Sequence, residues 1–211
     1  MKKILLGCIS FLFMAAAFAS SAPQEGVDYA VIPQAINKVK TKPSKTVNVK
    51  EFFSFTCIHC KDVEPLIEAF VSSRKGVELE KIQAVWGDDL NMRSFAKLNA
   101  TIQIMKLNRL YIPAFDAVFS RQNINDPEIL KTFLKSNGLN NDQIGKFMNM
   151  YNSFDVSIIV AKYKTMTEDP KYNITGTPTF IVADKYIVSP ALPARLVEVV
   201  NALVTKSTAN K

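Results

Sequence analysis

The stretch EFFSFTCIHCKDVEP, residues 51–65, holds two cysteines three positions apart, Cys57 and Cys60, with the only histidine of the chain, His59, between them. Its left flank decides how the cysteines are held. TVNVKEFFSF, residues 46–55, is rich in β-branched and aromatic residues. It reads as a strand, apolar on both faces over part of its length, as a buried central strand would be. Glu51 is the anomaly in it. On the right flank Val63, Leu66, Ile67 and Phe70 recur at helical spacing. They predict a helix from 57 or 58 to about 72, kinked by Pro65. The strand ends at Phe55 and the helix opens at Cys57. The first cysteine therefore stands where unpaired backbone N–H groups and the positive end of the helix dipole stabilise an anion.

Outward from this stretch, residues 27–32 read as a short strand, 34–40 as a weak helix and 42–45 as a turn. VELEKIQAVW, residues 77–86, is a second strong strand. From Gly87 to about Glu168 the strand signals vanish. Helices are predicted over 91–107, 111–120, 127–136, 141–151 and 153–167. Asp126-Pro127 and Asn140 are start signals and Asn137-Gly138 a stop. TPTFIVADKYIVSP, residues 177–190, predicts a β-hairpin turning near 183–185. A last amphipathic helix over 193–204 points Leu196, Val199, Val200 and Leu203 inward. The order implies an α/β domain built from residues 20–86 and 169–211 and interrupted by a helical insertion, 87–168. Neither half of the α/β material covers both faces of a sheet alone.

Residues 1–19 read as a signal peptide. Lys2 and Lys3 precede an apolar run over 4–18, and Ala17-Phe18-Ala19 fits the small-x-small pattern, which places the cut after Ala19. The run falls short of the roughly 18–20 residues of a membrane span. Leu5-Leu6-Gly7-Cys8 has the look of an acylation box but comes too early in the apolar segment. The full chain carries 26 basic and 19 acidic residues, an excess of seven that falls to five once Lys2 and Lys3 are removed. That excess is spread thinly, so the surface is mildly basic without a nucleic-acid footprint.

Cleavage also removes Cys8 and leaves Cys57 and Cys60 as the only cysteines. An exported chain that used disulfides as scaffolding would carry more of them, and a bridge between positions three apart constrains the unfolded chain little. Haem attachment needs CxxCH, whereas Lys61 follows Cys60. Zinc needs about four ligands, and the mature chain offers two cysteines and one awkwardly placed histidine. Carriage of Cu(I) by two thiolates stays open, as does an inert clip. Dithiol redox chemistry fits the position best. The helix N-terminus lowers the pKa of Cys57. Cys60, one turn in on the same face, can attack a mixed disulfide at Cys57. His59 adds a second interaction with the thiolate.

EFFSFTCIHC followed far downstream by GTPTFIVADKY resembles the DsbA family of thioredoxin-fold thiol oxidoreductases of the bacterial periplasm. The resemblance covers nearly all of the mature chain. It implies that Cys57 is the nucleophile, Cys60 the resolving cysteine and Cys57–Cys60 the redox-active disulfide. It implies that His59 stabilises the Cys57 thiolate and that Glu51 is a buried acid beneath the site, able to exchange protons. Pro178 becomes a cis-proline facing the disulfide, with the adjacent backbone free to pair with an extended substrate strand. Three positions depart from the best-known members. Ile58 stands in place of proline. Thr177 precedes Pro178, where many oxidases have valine and several isomerases threonine. Pro65 lies five residues after Cys60, as in thioredoxin itself.

The resemblance implies a periplasmic enzyme that introduces disulfides into reduced exported polypeptides. It would act as a monomer, without cofactor or metal, and be reoxidised by a quinone-linked membrane partner. The departures leave room for isomerase or reductase activity. Only about 25–30 residues separate the cleavage site from the first central strand, too few for the dimerisation domain of a dedicated isomerase. A Cu(I)-binding thioredoxin-like protein and a thiol-independent peptide chaperone are the other readings. The sequons at 99–101 and 173–175 read as chance.

Overall fold

A computed structural model describes residues 22–33, 46–188 and 190–209. The signal peptide with Cys8, and the weak helix and turn expected over 34–45, lie outside the described residues. The elements follow in the order β1 (Tyr29–Val31), β2 (Val47–Phe53), α1 (Ile58–Ser73) and β3 (Val77–Gln83). Five helices come next: α2 (Leu90–Ile104), α3 (Tyr111–Phe119), α4 (Pro127–Ser136), α5 (Asn141–Tyr151) and α6 (Phe154–Thr167). A 3-10 turn over Asn108–Leu110 leads into α3. The chain closes with β4 (Thr179–Val182), β5 (Tyr186–Val188) and α7 (Pro193–Ala209).

The strands form one mixed sheet in the order β1-β5-β4-β2-β3. β2 pairs in parallel with β3 and antiparallel with β4, while β5 pairs antiparallel with β4 and β1. An interior strand must bury both faces, and β2 does so. Val47 and Val49 join the core formed with α1 and α7, in which Val63, Ile67, Leu196, Val199, Val200 and Leu203 are buried. Phe52 points the other way, into a core with Ala96 and Ala100 of α2 and Val156 and Tyr163 of α6. The hairpin turns through Ala183 and Asp184, both at positive φ.

Local signals set the helix ends. Asp126 accepts from the N–H groups of Glu128 and Ile129, with Pro127 at the first helical position. Asn140 and Gln143 form a reciprocal capping box at the start of α5. Helices α2 to α5 enclose a separate apolar cluster that includes Phe95, Leu98, Tyr111, Phe115, Leu134 and Phe147. Phe53, Phe55 and Cys60 belong to the same cluster. The helical block thus supplies the apolar wall against which the end of β2 and the start of α1 are packed.

Candidate active site

Helix α1 begins at Ile58 and Cys57 is its N-cap, in extended conformation at φ −95° and ψ 116°. The Cys57 Sγ takes the place that a serine or aspartate oxygen usually holds, accepting from the Cys60 N–H at 3.3 Å. Pro65 lies within α1 without ending it. Both cysteines are free thiols, Cys57 partly exposed and Cys60 buried. The local dipoles split the two. The Cys60 thiol, donating to Cys57, is the main cause that brings Cys57 down to about 5. Burial opposes it, and the Thr177 side chain and the N–H groups of Cys60 and His59 add to it. Burial raises the Cys60 thiol far above its ordinary value, and the nearby charges of Cys57 and Glu51 act in the same direction.

Across from Cys57, the Thr177–Pro178 peptide is cis. The Thr177 carbonyl accepts from the Cys57 thiol at 3.3 Å, so Thr177 faces both protonation states: its carbonyl serves the thiol and its hydroxyl favours the thiolate. Pro178 is buried at the start of β4. Ile58 is 46% exposed beside the sulfur. His59 is also exposed. Among the described residues its imidazole makes no hydrogen bond to Cys57; the contribution to the thiolate comes from its backbone N–H.

A protein-family model described as Thioredoxin matches residues 42–202. The Thiol:disulfide interchange protein DsbA of Burkholderia cepacia is 32% identical over 199 residues, covering 90% of this chain and 89% of that protein. The chain belongs to the DsbA family. The DsbA of Pseudomonas syringae is 28% identical, with 94% of this chain and 91% of that protein covered. The crystal structure of reduced DsbA1 from Neisseria meningitidis is 26% identical and superposes with a TM-score of 0.74 over 90% of this chain and 98% of that one. The thioredoxin-like fold expected from the sequence is the fold observed.

Beneath the sulfurs this DsbA-family chain buries a group of charges that the sequence revealed only in part. Glu51 is fully buried in β2, not at a wet edge. Lys81 stands beside it in register on β3, with its ammonium 3.2 Å from Glu51 and hydrogen-bonded to Glu64 of α1. Glu68 reaches the same ammonium at 3.6 Å from a position 34% exposed. The Lys81 Nζ also lies 4.5 Å from the Tyr111 ring centre. One cation therefore serves two sealed carboxylates. Burial raises Glu51, and Lys81 offsets this only in part. Glu64, for the same reason, is pushed up to about 7. Burial works against the Lys81 ammonium, but the carboxylates outweigh it and raise its pKa.

Three residues of this group, Glu64, Glu68 and Lys81, escaped the sequence reading. Leu66, expected inward on α1, is 40% exposed, and Glu64 is buried on the face with Cys60, Val63 and Ile67. The first sequon is no acceptor: Asn99 is fully buried, donating to the Lys81 carbonyl and accepting from the Tyr111 hydroxyl.

Proposed function

We propose that the protein is a thiol:disulfide oxidoreductase that oxidises reduced, exported polypeptides through Cys57 and Cys60. The observation that carries this is the asymmetry of the two sulfurs, one accessible and acidic at a helix N-cap, the other sealed and protonated. In the oxidised protein a substrate thiolate attacks Cys57 Sγ and the bond to Cys60 breaks. Cys60 leaves as a thiolate and takes up a proton, which the buried Glu51–Glu64–Lys81 group holds within electrostatic reach. A second substrate thiolate then attacks the substrate sulfur of the mixed disulfide and expels Cys57, a good leaving group because of its low pKa. The substrate gains a disulfide and the protein gains two electrons.

In this reading Thr177 tunes the thiolate, Pro178 shapes the surface facing it, Ile58 offers an apolar contact and His59 contributes through its backbone. Residues 20–86 and 169–211 act as the thioredoxin-like unit and 87–168 as an inserted helical cover. Residues 1–19 direct export to the periplasm, where the protein works as a monomer. A quinone-linked membrane protein returns it to the disulfide state. The redox potential of the Cys57–Cys60 pair tests the direction of transfer. An oxidising value, with the pair trapped as disulfide by alkylation of cell extracts, is expected. A reducing value with a dithiol in cells would assign the protein to the reductases, isomerases or Cu(I) carriers instead.

Two further results are expected. The thiolate at Cys57 stabilises the reduced fold, because its pKa of about 5 lies below the unfolded value of 9.0. This gain is complete above about pH 9 and is lost as pH falls through about 5. At pH 7 it is about 1–2 kcal/mol after allowance for solvent screening. Urea unfolding of the reduced and oxidised forms at several pH values checks it, since so short a disulfide loop adds little of its own. Thr177→Val removes the hydroxyl that favours the thiolate. The Cys57 pKa, read from thiolate absorbance, should rise. The equilibrium with glutathione should shift about fivefold toward the oxidised protein, the size of one hydrogen bond.

A further inference from the structure

A cavity of about 380 Å³ lies between α2 and α6. Val85, Val160 and Ala161 give it apolar walls, and Arg93, Lys97 and Lys164 bring three cations to it; no acidic side chain lines it. Two of these cations carry donors that lack an anionic partner. Arg93 donates through Nη2 to Asp88 at 2.5 Å, but its Nε is buried without an acceptor among the described residues. Lys97 donates to the neutral Asn152 side chain at 3.1 Å and sits 4.1 Å from the Tyr151 ring centre. Lys164 is paired with Glu168, both oxygens within 2.7 Å. The buried Arg93 Nε–H, left without an acceptor although Asp88 pairs the other end of the guanidinium, and the Lys97 ammonium, which meets only a neutral amide and a ring, leave a cost that an incoming anion relieves. The size and the apolar walls are those of a small-ligand site with a few orienting polar groups.

We infer that this cavity binds a small carboxylate with an apolar body, its carboxylate held by Arg93 and Lys97 and its body against Val85, Val160 and Ala161. The site is separate from Cys57 and Cys60 and stands whether or not the thiol chemistry proposed above is correct. The probe is 3-phenylpropionate, titrated into the full mature protein by calorimetry and amide chemical-shift mapping, with the neutral 3-phenylpropanol as control. Saturable one-to-one binding with shifts on α2 and α6 is expected. Lys97→Gln and Arg93→Gln should each weaken it about tenfold or more, the size of a charge-assisted hydrogen bond. Lys97→Arg should retain most of it, which separates lost charge from lost fold. Oxidation of a substrate peptide should be unchanged in Lys97→Gln. Equal binding of the alcohol, unchanged binding in Lys97→Gln, or no saturable binding of the acid would each overturn the proposal.

Discussion

Cys57→Ser is expected to reduce oxidation of a dithiol peptide by about a thousandfold or more, to the level of the uncatalysed reaction. Cys57 is the only sulfur of the pair that a polypeptide thiolate can reach, since Cys60 has no exposed surface. A serine there keeps the helix cap, because its oxygen accepts from the same N–H, so the loss reports chemistry and not folding. Cys60→Ser should behave differently. Its reduced Cys57 remains a thiolate and still attacks an oxidised partner, but the second sulfur that would release the adduct is gone. Mixed disulfides through Cys57 should therefore accumulate and be visible on non-reducing gels. Unaltered peptide oxidation by Cys57→Ser would overturn the oxidoreductase reading. Activity that survives loss of both cysteines would point to a peptide chaperone.

Lys81→Met should destabilise the protein by about 3–5 kcal/mol near pH 8, the cost of leaving buried charges without a partner. The ammonium is 4% exposed and faces Glu51 and Glu64, themselves sealed. Without it both carboxylates must take up a proton or stay ionised in an apolar setting. Their folded pKa values, already raised in the native protein, move further above the unfolded value of 4.5. A raised carboxylate contributes stability that is fully present below the unfolded pKa and is lost as pH rises through the folded one. The penalty of Lys81→Met should therefore shrink toward pH 4.5 and grow above about pH 7. Urea titrations at both ends check this. Adding Glu64→Gln to Lys81→Met should recover part of the loss near pH 8. A penalty independent of pH would mean that packing of the lysine stem, and not its charge, is what the fold needs.

These two residues also mark where the sequence was legible and where it was not. The cysteines, the strand before them and the helix after them were readable because each rests on local chemistry: β-branched runs, 3.6-residue spacing, a cap position. The helical block was readable for the same reason, and Asp126-Pro127 and Asn140 fixed two of its boundaries. Glu51 stood out as a charge in an apolar strand. Lys81 did not: it follows Glu78 and Glu80 as one more charge, although the alternation of VELE breaks at it and it takes the face of Val77 and Leu79. Only the parallel register, Glu51 opposite Lys81, turns two odd residues into a pair. Glu64 was hidden by its neighbours, since a carboxylate on an amphipathic helix is normally assigned to water. One signal was available: 60, 63, 64 and 67 fall on a single helical face. His59 is the opposite case. Its side chain is the conspicuous feature, whereas the group that acts on the thiolate is its backbone N–H, which any residue but proline supplies at that position.

The single accessible sulfur has a consequence for the order of events in turnover. Whatever delivers electrons to the pair and whatever removes them must come to the same atom, over the same apolar rim at Ile58 and Thr177. The two visitors cannot be present together, so they take turns. Such a catalyst runs in two alternating half-cycles, with parallel double-reciprocal plots for donor and acceptor. An excess of reduced client then competes with the oxidant for the doorway, and throughput is set by the balance of the two queues as much as by the chemistry of the bond.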